Sequence, residues 1–250
     1  MSLFLSIIVL GILGFLSGVL GGIIGFGTTI LLVPPLIYFY GPVATIPVIA
    51  IIAIIANVSR IFLWWHEIRW KVCFVYGLPS IPGVFLGANT LVSLNEKFLE
   101  VMLGIFILCL IPIRRWMRAQ KFYLRLWHMG ILGLCIGFLT GIVATTGALS
   151  TPFFLAFGLS KGAFLGTEAA GSLGISITKS IVFHRLGVVD QTIMMQGVLI
   201  GLVVLIGSYF SKKIVLRLPE KSFTQLMELV MLVSGITIIT MSVFTIKASL

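Results

Sequence analysis

The chain has 250 residues, of which 59% are hydrophobic and only 10% are charged. An ordinary soluble domain carries about 25% charged residues, so a soluble protein of this composition would lack the polar side chains needed to cover its surface. The net charge of +10 does not indicate nucleic-acid binding, because the basic residues flank apolar segments instead of forming a basic stripe. The composition therefore predicts an all-α integral membrane protein.

The first half of the chain contains five apolar segments, of which the second is short and opens with glycine and threonine. They cover residues 3–20, 25–40, 43–64, 70–92 and 97–113. The break before the second segment reads GGIIGFGTT. The first basic residue is Arg60, so no positively charged n-region of a secretory signal precedes the first segment. We expect that segment to be retained, with its N-terminus outside the cytosol.

A basic run, RRWMRAQKFYLR, follows the fifth segment. It predicts a cytosolic linker that faces lipid headgroups. Five apolar segments follow again, and the second of them is again short and preceded by a Gly/Thr-rich break, IVATTGALST. These segments cover residues 127–144, 148–159, 163–184, 190–210 and 223–244.

The two halves resemble each other, which indicates an internal duplication. GFLSG in the first half recurs as GFLTG in the second, and LNEK recurs as LPEK. Arg60 aligns with Lys179 at an offset of 119 residues. We therefore predict membrane repeat one over residues 1–113, the linker over 114–126, and membrane repeat two over 127–250.

The distribution of charge distinguishes two topologies. With five crossings per half the repeats are inverted, and 13 of the 17 basic residues face the cytosol. With four crossings per half only 11 of the 17 do so. Basic residues are enriched on the cytosolic side of membrane proteins, so the sequence favours two inverted repeats of about five helical segments each. The alternative is an arrangement of 4+4 transmembrane helices, in which the short segment does not cross by itself.

The paired glycine-rich breaks, GFLSGVLGGIIGFGTT and GFLTGIVATTGALSTP, and the layout of the two repeats resemble the TauE/SafE sulfite exporter family, also called the TSUP transporters. The resemblance covers nearly the whole chain. It implies secondary transport of a small anion across the bacterial inner membrane, with sulfite, sulfonates such as sulfoacetate, and related organic anions as substrates. The second repeat departs from the pattern, because Ala144-Thr145-Thr146 stands where glycines are expected.

A Gly/Thr break inside an apolar segment persists where it is buried in protein or lines a cavity. In transporters built from repeats, such breaks place helix N-termini near the membrane midplane, where they attract anions. Hydroxyl and N–H groups would then face an oxyanion from two sides. The predicted substrate-binding residues at the two breaks are Gly25, Gly27, Thr28, Thr29, Thr145, Thr146, Ser150 and Thr151. The alternative is that these glycines only allow close packing of helices.

Charged residues within the apolar segments form the second part of the predicted site. Glu168, Ser172, Ser176 and Lys179 share one face of a helix, and the 119-residue offset relates the last two to Asn57 and Arg60. We predict that Asn57 and Ser176 contact substrate. Arg60 and Lys179 would each lie near one mouth of the pathway and draw anions in, unless they extend to the headgroups. Glu168 is an intramembrane acid that would carry a coupling proton, pair with Lys179, or form a structural hydrogen bond between helices.

Other functions fit the sequence less well. Gly158-Leu159-Ser160-Lys161-Gly162 matches the GxSxG pattern of hydrolases, but the strand–turn–helix context of that motif is absent. We therefore expect no enzyme activity and no cofactor. An ion channel or another permease is the alternative function, since Gly25-Phe26-Gly27 resembles a carbonyl-lined filter. The expected partners are a small anion, membrane lipid and a coupling ion, either proton or sodium.

Overall fold

The computed structural model describes residues 3–91, 124–142, 147–185, 191–227 and 229, and every regular element in these ranges is a helix. The all-helical expectation is therefore confirmed for this part of the chain. The predicted segment 97–113, most of the linker and the end of the last segment lie outside it. The helices are α1 (Leu3–Ile24), α2 (Gly27–Leu63), a short 3-10 helix (Trp65–Glu67), α3 (Trp70–Leu91), α4 (Leu126–Ile142), α5 (Gly147–Ala156), α6 (Lys161–Arg185) and α7 (Gln191–Arg217), and residues 220–227 are also helical.

Large apolar side chains lie on the surface of the described helices. One face of α3 exposes Phe74, Leu78, Ile81 and Phe85, and α7 exposes a similar apolar face. The interior combines apolar clusters with buried serines, threonines and ionisable side chains. Exposed apolar surface of this extent marks contact with a partner or with lipid, and buried polar groups in lipid must find partners within the protein. This arrangement fits a bilayer as the surrounding solvent.

The described helices differ in length and apolar character. One apolar stretch, Met194–Arg217, is long enough by itself to cross a membrane. Four shorter apolar stretches accompany it, namely Val9–Ile24, Gly27–Leu36, Val48–Leu63 and Leu126–Gly141. These spans are assigned by length and composition within the described residues.

The chain reverses its direction at the first Gly/Thr break, so the helices before and after the break do not form one interrupted membrane span. Gly25 has a φ of +99° between α1 and α2, a conformation that glycine adopts without steric cost. Thr28 Oγ1 then donates a hydrogen bond of 3.2 Å back to the Ser17 carbonyl oxygen, and Leu36 packs in the same buried cluster as Leu10. The start of α2 therefore runs antiparallel to α1.

Helix α2 also reverses its direction, although residues Gly27–Leu63 are helical throughout. A straight helix would separate Thr28 from Arg60 by about 48 Å at 1.5 Å per residue. Both side chains instead line one cavity, and Leu36 and Val48 share one buried cluster. The chain must turn between these two positions, so α2 has a first arm ending near Leu36 and a second arm beginning near Val48. The predicted boundary between segments 25–40 and 43–64 falls inside this turn.

The second half has a visible break at the corresponding place. Helix α5 ends at Ala156, and α6 begins at Lys161, whose φ is +47°. Gly158, with a φ of +95°, lies in the turn between them. The sequence places a proline-containing short segment before both turns.

Glycines allow three pairs of helices to approach closely. Gly207 of α7 packs against the Phe15 carbonyl of α1, and Gly87 of α3 packs against the Phe138 carbonyl of α4. Contacts advance in the same direction along both helices of each pair, so α1 is parallel to α7 and α3 is parallel to α4.

The third pair, the second arm of α2 with α6, is antiparallel. Asn57 contacts Ser176, Arg60 contacts Glu168, and Trp64 packs against Gly166. As α2 advances, its contacts move back along α6. Helix α2 of the first half and helix α6 of the second half thus pack against each other, and they carry many of the buried polar side chains.

Candidate functional site

One cavity of about 40 Å³ lies between α2, α5 and α6. By the same measure a water molecule needs roughly 10–15 Å³, so the cavity holds about three water-sized groups, close to the size of a small oxyanion. Its wall consists of Gly25, Phe26, Thr28, Thr29, Ile49, Ala50, Ile52, Ala53, Ala56, Asn57, Arg60, Gly147, Glu168, Ser172, Ser176 and Lys179.

Two helices begin at this cavity. Gly25, Phe26 and Thr28, at the start of α2, are part of its wall, and so is Gly147, the first residue of α5. No side chain caps the N-terminus of α2 at Phe26, and a Cβ on Gly147 would stand 2.3 Å from the Phe26 Cβ. The first N–H groups of a helix lack intrahelical partners and carry partial positive charge. The two breaks therefore bring two positive helix ends together.

A buried ion pair crosses the cavity between the two halves. Arg60 Nη1 lies 2.8 Å from Glu168 Oε2, and both side chains are no more than 5% exposed. Arg60 Nη2 also donates to the Asn57 amide oxygen, and Asn57 Nδ2 donates to Ser176 Oγ at 3.2 Å. The guanidinium is thus held from both sides, and its position is fixed relative to the cavity.

Serine hydroxyls complete the surroundings of the Glu168 carboxylate. Its Oε1 accepts hydrogen bonds from Ser172 Oγ at 2.8 Å and Ser150 Oγ at 3.1 Å. Ser150 Oγ also lies 3.3 Å from the Gly147 carbonyl oxygen. The carboxylate therefore has partners on α2, α5 and its own helix α6.

Lys179 supplies the second cation of the cavity wall and is 4% exposed. With Lys179 protonated, the wall carries two positive charges and one negative charge, a net charge of +1. Because burial weakens screening by solvent, such a charge attracts anions more strongly than it would at a surface. The cavity is therefore chemically suited to a small anion.

The structure brings most of the predicted site residues together. Eight of them line the cavity: Gly25, Thr28, Thr29, Asn57, Ser176, Arg60, Lys179 and Glu168. Ser150 reaches the cavity through Glu168, whereas Thr151 Oγ1 donates 2.6 Å to the Gly147 carbonyl oxygen and Gly27 packs against α1. Thr145 and Thr146 lie outside the described residues.

Two expectations about the charged residues differ from the structure. Arg60 and Lys179 were expected at opposite mouths, but both are buried in the wall of the same cavity. Glu168 was expected to pair with Lys179 as one possibility, but its ion-pair partner is Arg60 of the other half. The reason is the antiparallel packing of α2 on α6, which places residues from both repeats beside one cavity.

Eight wall residues had no predicted site role: the apolar Ile49, Ala50, Ile52, Ala53 and Ala56, and also Phe26, Gly147 and Ser172. Ser172 had a signal, because it lies one helical turn from Glu168 on the polar face of α6. Gly147 follows two threonines in the second break and marks the start of α5. Phe26 gave no signal, because an aromatic residue between glycines in an apolar segment is compatible with many environments.

Comparisons with known proteins agree with the resemblance of the sequence. The family model described as "Sulfite exporter TauE/SafE" matches residues 10–238. The chain is 24% identical over 139 residues to a Bacillus subtilis (strain 168) protein named "Probable membrane transporter protein YunE". That match covers 51% of this chain and 50% of the relative, so the chain spans about half the length of the curated relative. No solved structure matches.

Proposed function

Because this chain belongs to the sulfite exporter TauE/SafE family, we propose that it is a secondary transporter of a small anion. Membership in this family and the matching relative indicate a multi-pass membrane transporter. The proposed substrate is sulfite, an organosulfonate such as sulfoacetate, or a related sulfur-containing or organic anion. The proposed location is the bacterial inner (plasma) membrane, with a proton or sodium as the coupling ion.

The observation that supports this proposal most directly is the set of hydrogen-bond donors in the cavity. Two helix N-termini meet there with two buried basic side chains, Arg60 and Lys179, and with the amide of Asn57. Backbone N–H groups, a guanidinium and an ammonium are the donors that proteins use for oxyanions. Their location deep among apolar helices excludes a role as surface anchors, since both basic side chains are 4% exposed.

The contacts across the cavity support two inverted repeats. The hydrogen bond between Asn57 and Ser176 joins residues 119 positions apart, the offset by which the two halves align. Residues related by a two-fold axis touch each other only beside that axis. Because α2 and α6 are antiparallel there, the axis is perpendicular to both helices. It would lie in the membrane plane if the helices cross the membrane, as in inverted-repeat transporters.

Contacts away from the axis repeat in the same way. Gly201 packs against Ile55, and Gly174 packs against Ile81. Ile55 of α2 and Gly174 of α6 are 119 positions apart, and Ile81 of α3 and Gly201 of α7 are 120 positions apart. The repeat alignment therefore relates the first contact to the second. They support a pseudo-two-fold relation between the halves, and with it alternating access by movement of one repeat against the other around the central cavity.

Solute counterflow in proteoliposomes tests the proposal. Vesicles loaded with unlabelled sulfite or sulfoacetate should take up the same labelled anion transiently against its gradient, because a carrier couples outward and inward movement. The variant R60Q/E168Q removes the Arg60 guanidinium from the cavity without leaving a buried carboxylate unpaired. We expect it to lose more than about 90% of counterflow, equivalent to over 1.4 kcal/mol in the transition state.

Arg69→Gln is the matched control, because the Arg69 side chain is exposed and does not line the cavity. It should retain counterflow close to that of the wild type. Conductance without counterflow would contradict the carrier and favour the ion channel. Full counterflow in R60Q/E168Q would show that the anion does not pass through this cavity.

A further inference from the structure

We infer that Glu168 is the proton-binding group of the anion site, and that its ionised carboxylate competes with the transported anion for Arg60. This inference rests on the proposed function and specifies how one proton would be coupled to it. Protonation of Glu168 releases the guanidinium to an incoming anion. Loss of that proton restores the ion pair and displaces the anion.

The carboxylate occupies the position that an oxyanion would take. Its two oxygens accept hydrogen bonds from the Arg60 guanidinium and from the Ser150 and Ser172 hydroxyls. These are the same types of donor that bind an anion in a buried site. An anion entering beside an ionised Glu168 would meet a like charge where screening is weak. The ion pair therefore closes the site to anions as long as Glu168 is ionised.

The surroundings of Glu168 also accommodate its protonated form. Ser150 Oγ lies 3.1 Å from the carboxylate and 3.3 Å from the Gly147 carbonyl oxygen. When Glu168 is ionised, the hydroxyl donates to the carboxylate. When Glu168 is protonated, the Ser150 hydroxyl can donate to the Gly147 carbonyl oxygen and accept a hydrogen bond from the carboxyl O–H. Both protonation states thus have a satisfied hydrogen-bond partner without movement of the backbone.

Arg60 keeps a partner when the carboxylate releases it. Its Nη2 still donates to the Asn57 amide oxygen, so the guanidinium stays oriented. Gly25 approaches the Nη1 side closely, since a Cβ there would stand 3.1 Å from that atom. The Nη1 donor is consequently left beside the N-terminus of α2, so an anion that binds Nη1 would lie next to that helix end.

Only one of the two equivalent positions in the repeats carries a carboxylate that can compete with the anion. The 119-residue offset relates Glu168 to Ile49 and Arg60 to Lys179, and all four residues line the cavity. Only one half of the symmetric site therefore carries a carboxylate. A structural ion pair required by the fold would have a reason to appear in both repeats. An acid present in one repeat introduces a single titratable competitor into an otherwise cationic site.

Other titratable groups face Glu168 and enter the same proton equilibrium. Arg60 faces it from α2, Lys179 lies on α6 itself, and Tyr76 of α3 is within electrostatic reach. Helices α1 and α5 carry no titratable side chain. Among these groups, Glu168 is the acid whose ionised form makes the contacts with Arg60 that an anion requires.

The sign of the pH dependence follows from this competition. Anion binding takes up a proton, so the affinity for anion rises as pH falls. One linked proton gives at most about a tenfold change in Kd per pH unit. The probe must not titrate itself, and methanesulfonate meets this condition because it stays a monoanion throughout the range.

Calorimetric titration of methanesulfonate into the purified full chain in detergent, from about pH 8 to about pH 5 where carboxylates and histidines titrate, tests the inference. The wild-type Kd should fall by several-fold to about tenfold per pH unit over part of this range. Glu168→Gln should bind with a Kd independent of pH and at least as low as that of the wild type at the lowest pH. Glu67→Gln, an exposed acid outside the cavity, should retain the wild-type slope.

A second variant keeps the test valid if Glu168→Gln does not fold. Ile49→Glu adds a carboxylate at the symmetry-related position and should weaken binding at neutral pH, with recovery on acidification. A pH slope retained in Glu168→Gln, or binding lost in that folded variant, would overturn the inference. Binding by the wild type without pH dependence, or no binding of methanesulfonate at any pH, would overturn the inference and leave the proposed function to the counterflow test with sulfite and sulfoacetate.

Discussion

At Gly25 the backbone φ is +99°, and a Cβ would stand 3.1 Å from Arg60 Nη1. Two independent constraints therefore require glycine at this position. The first is the left-handed backbone, which costs an ordinary residue of order 1–3 kcal/mol. The second is the space between the start of α2 and the guanidinium.

We expect Gly25→Ala to lower the free energy of unfolding by about 1–2 kcal/mol and to weaken anion binding, because the added methyl group displaces Arg60. Thermal unfolding with and without sulfite measures both effects. Gly11→Ala is the matched control: Gly11 lies in α1 with no atom near its Cβ position, and alanine there should stabilise the helix by up to about 1 kcal/mol. Equal effects of the two substitutions would contradict the role of Gly25.

The residues of the site were largely predictable, but their pairing was not. Arg60 and Glu168 stood out because charges are rare in apolar segments. Their ion pair joins positions 108 residues apart, and nothing in local sequence encodes such a contact. The helical face shared by Glu168, Ser172 and Lys179 followed from the period of an α-helix, which is a local property.

At the scale of single elements, close helix packing depends on a few glycines. A Cβ on Gly133 of α4 would stand 2.1 Å from the Tyr76 carbonyl oxygen of α3. A Cβ on Gly130, one turn earlier in α4, would stand 3.5 Å from the Val75 carbonyl oxygen, an ordinary contact. The two glycines face the same helix, but only Gly133 is required by the separation of the two backbones.

Gly133→Ala should therefore destabilise the protein by about 1–3 kcal/mol, the usual effect of overpacking, because α3 and α4 must move apart. Gly130→Ala should have little effect or stabilise α4 slightly. Thermal unfolding in detergent, followed for both variants in parallel, measures the difference. A Gly133→Ala protein as stable as Gly130→Ala would mean that the helices separate without cost.

Helix α2 is the element that sequence reasoning treated correctly in outline and incompletely in detail. The predicted segments 25–40 and 43–64 placed the end of one segment and the start of another within it. The structure keeps residues 27–63 helical while the chain turns back on itself. Turn residues reveal a change of direction, but the packing of the two arms decides its geometry.

At the scale of the whole molecule, helix direction distinguishes the two predicted topologies. An odd number of crossings per half makes equivalent helices antiparallel, and an even number makes them parallel. The second arm of α2 and α6 are equivalent by the 119-residue offset and are antiparallel. Five segments per half, proposed above, would give this direction, and the 4+4 arrangement would not.

Cysteine accessibility in oriented membranes tests this topology. Both His66 and Arg185 are exposed. His66 lies just beyond the C-terminal end of α2, and Arg185 is the last residue of α6. With the native cysteines replaced by alanine, His66→Cys should react with an impermeant thiol reagent from the cytosolic side and Arg185→Cys from the outside. Reaction of both from the same side would contradict inverted repeats.

The sequence by itself determined that the chain is apolar, predicted that it is helical, and showed that its two halves resemble each other and which rare polar residues lie within apolar segments. These features are readable because composition, helical period and repetition are local or additive properties of the chain. Only the tertiary structure decided that both breaks open onto one cavity and that Glu168 pairs with Arg60. Such contacts depend on the antiparallel packing of α2 against α6, which brings together residues more than 100 positions apart in the chain.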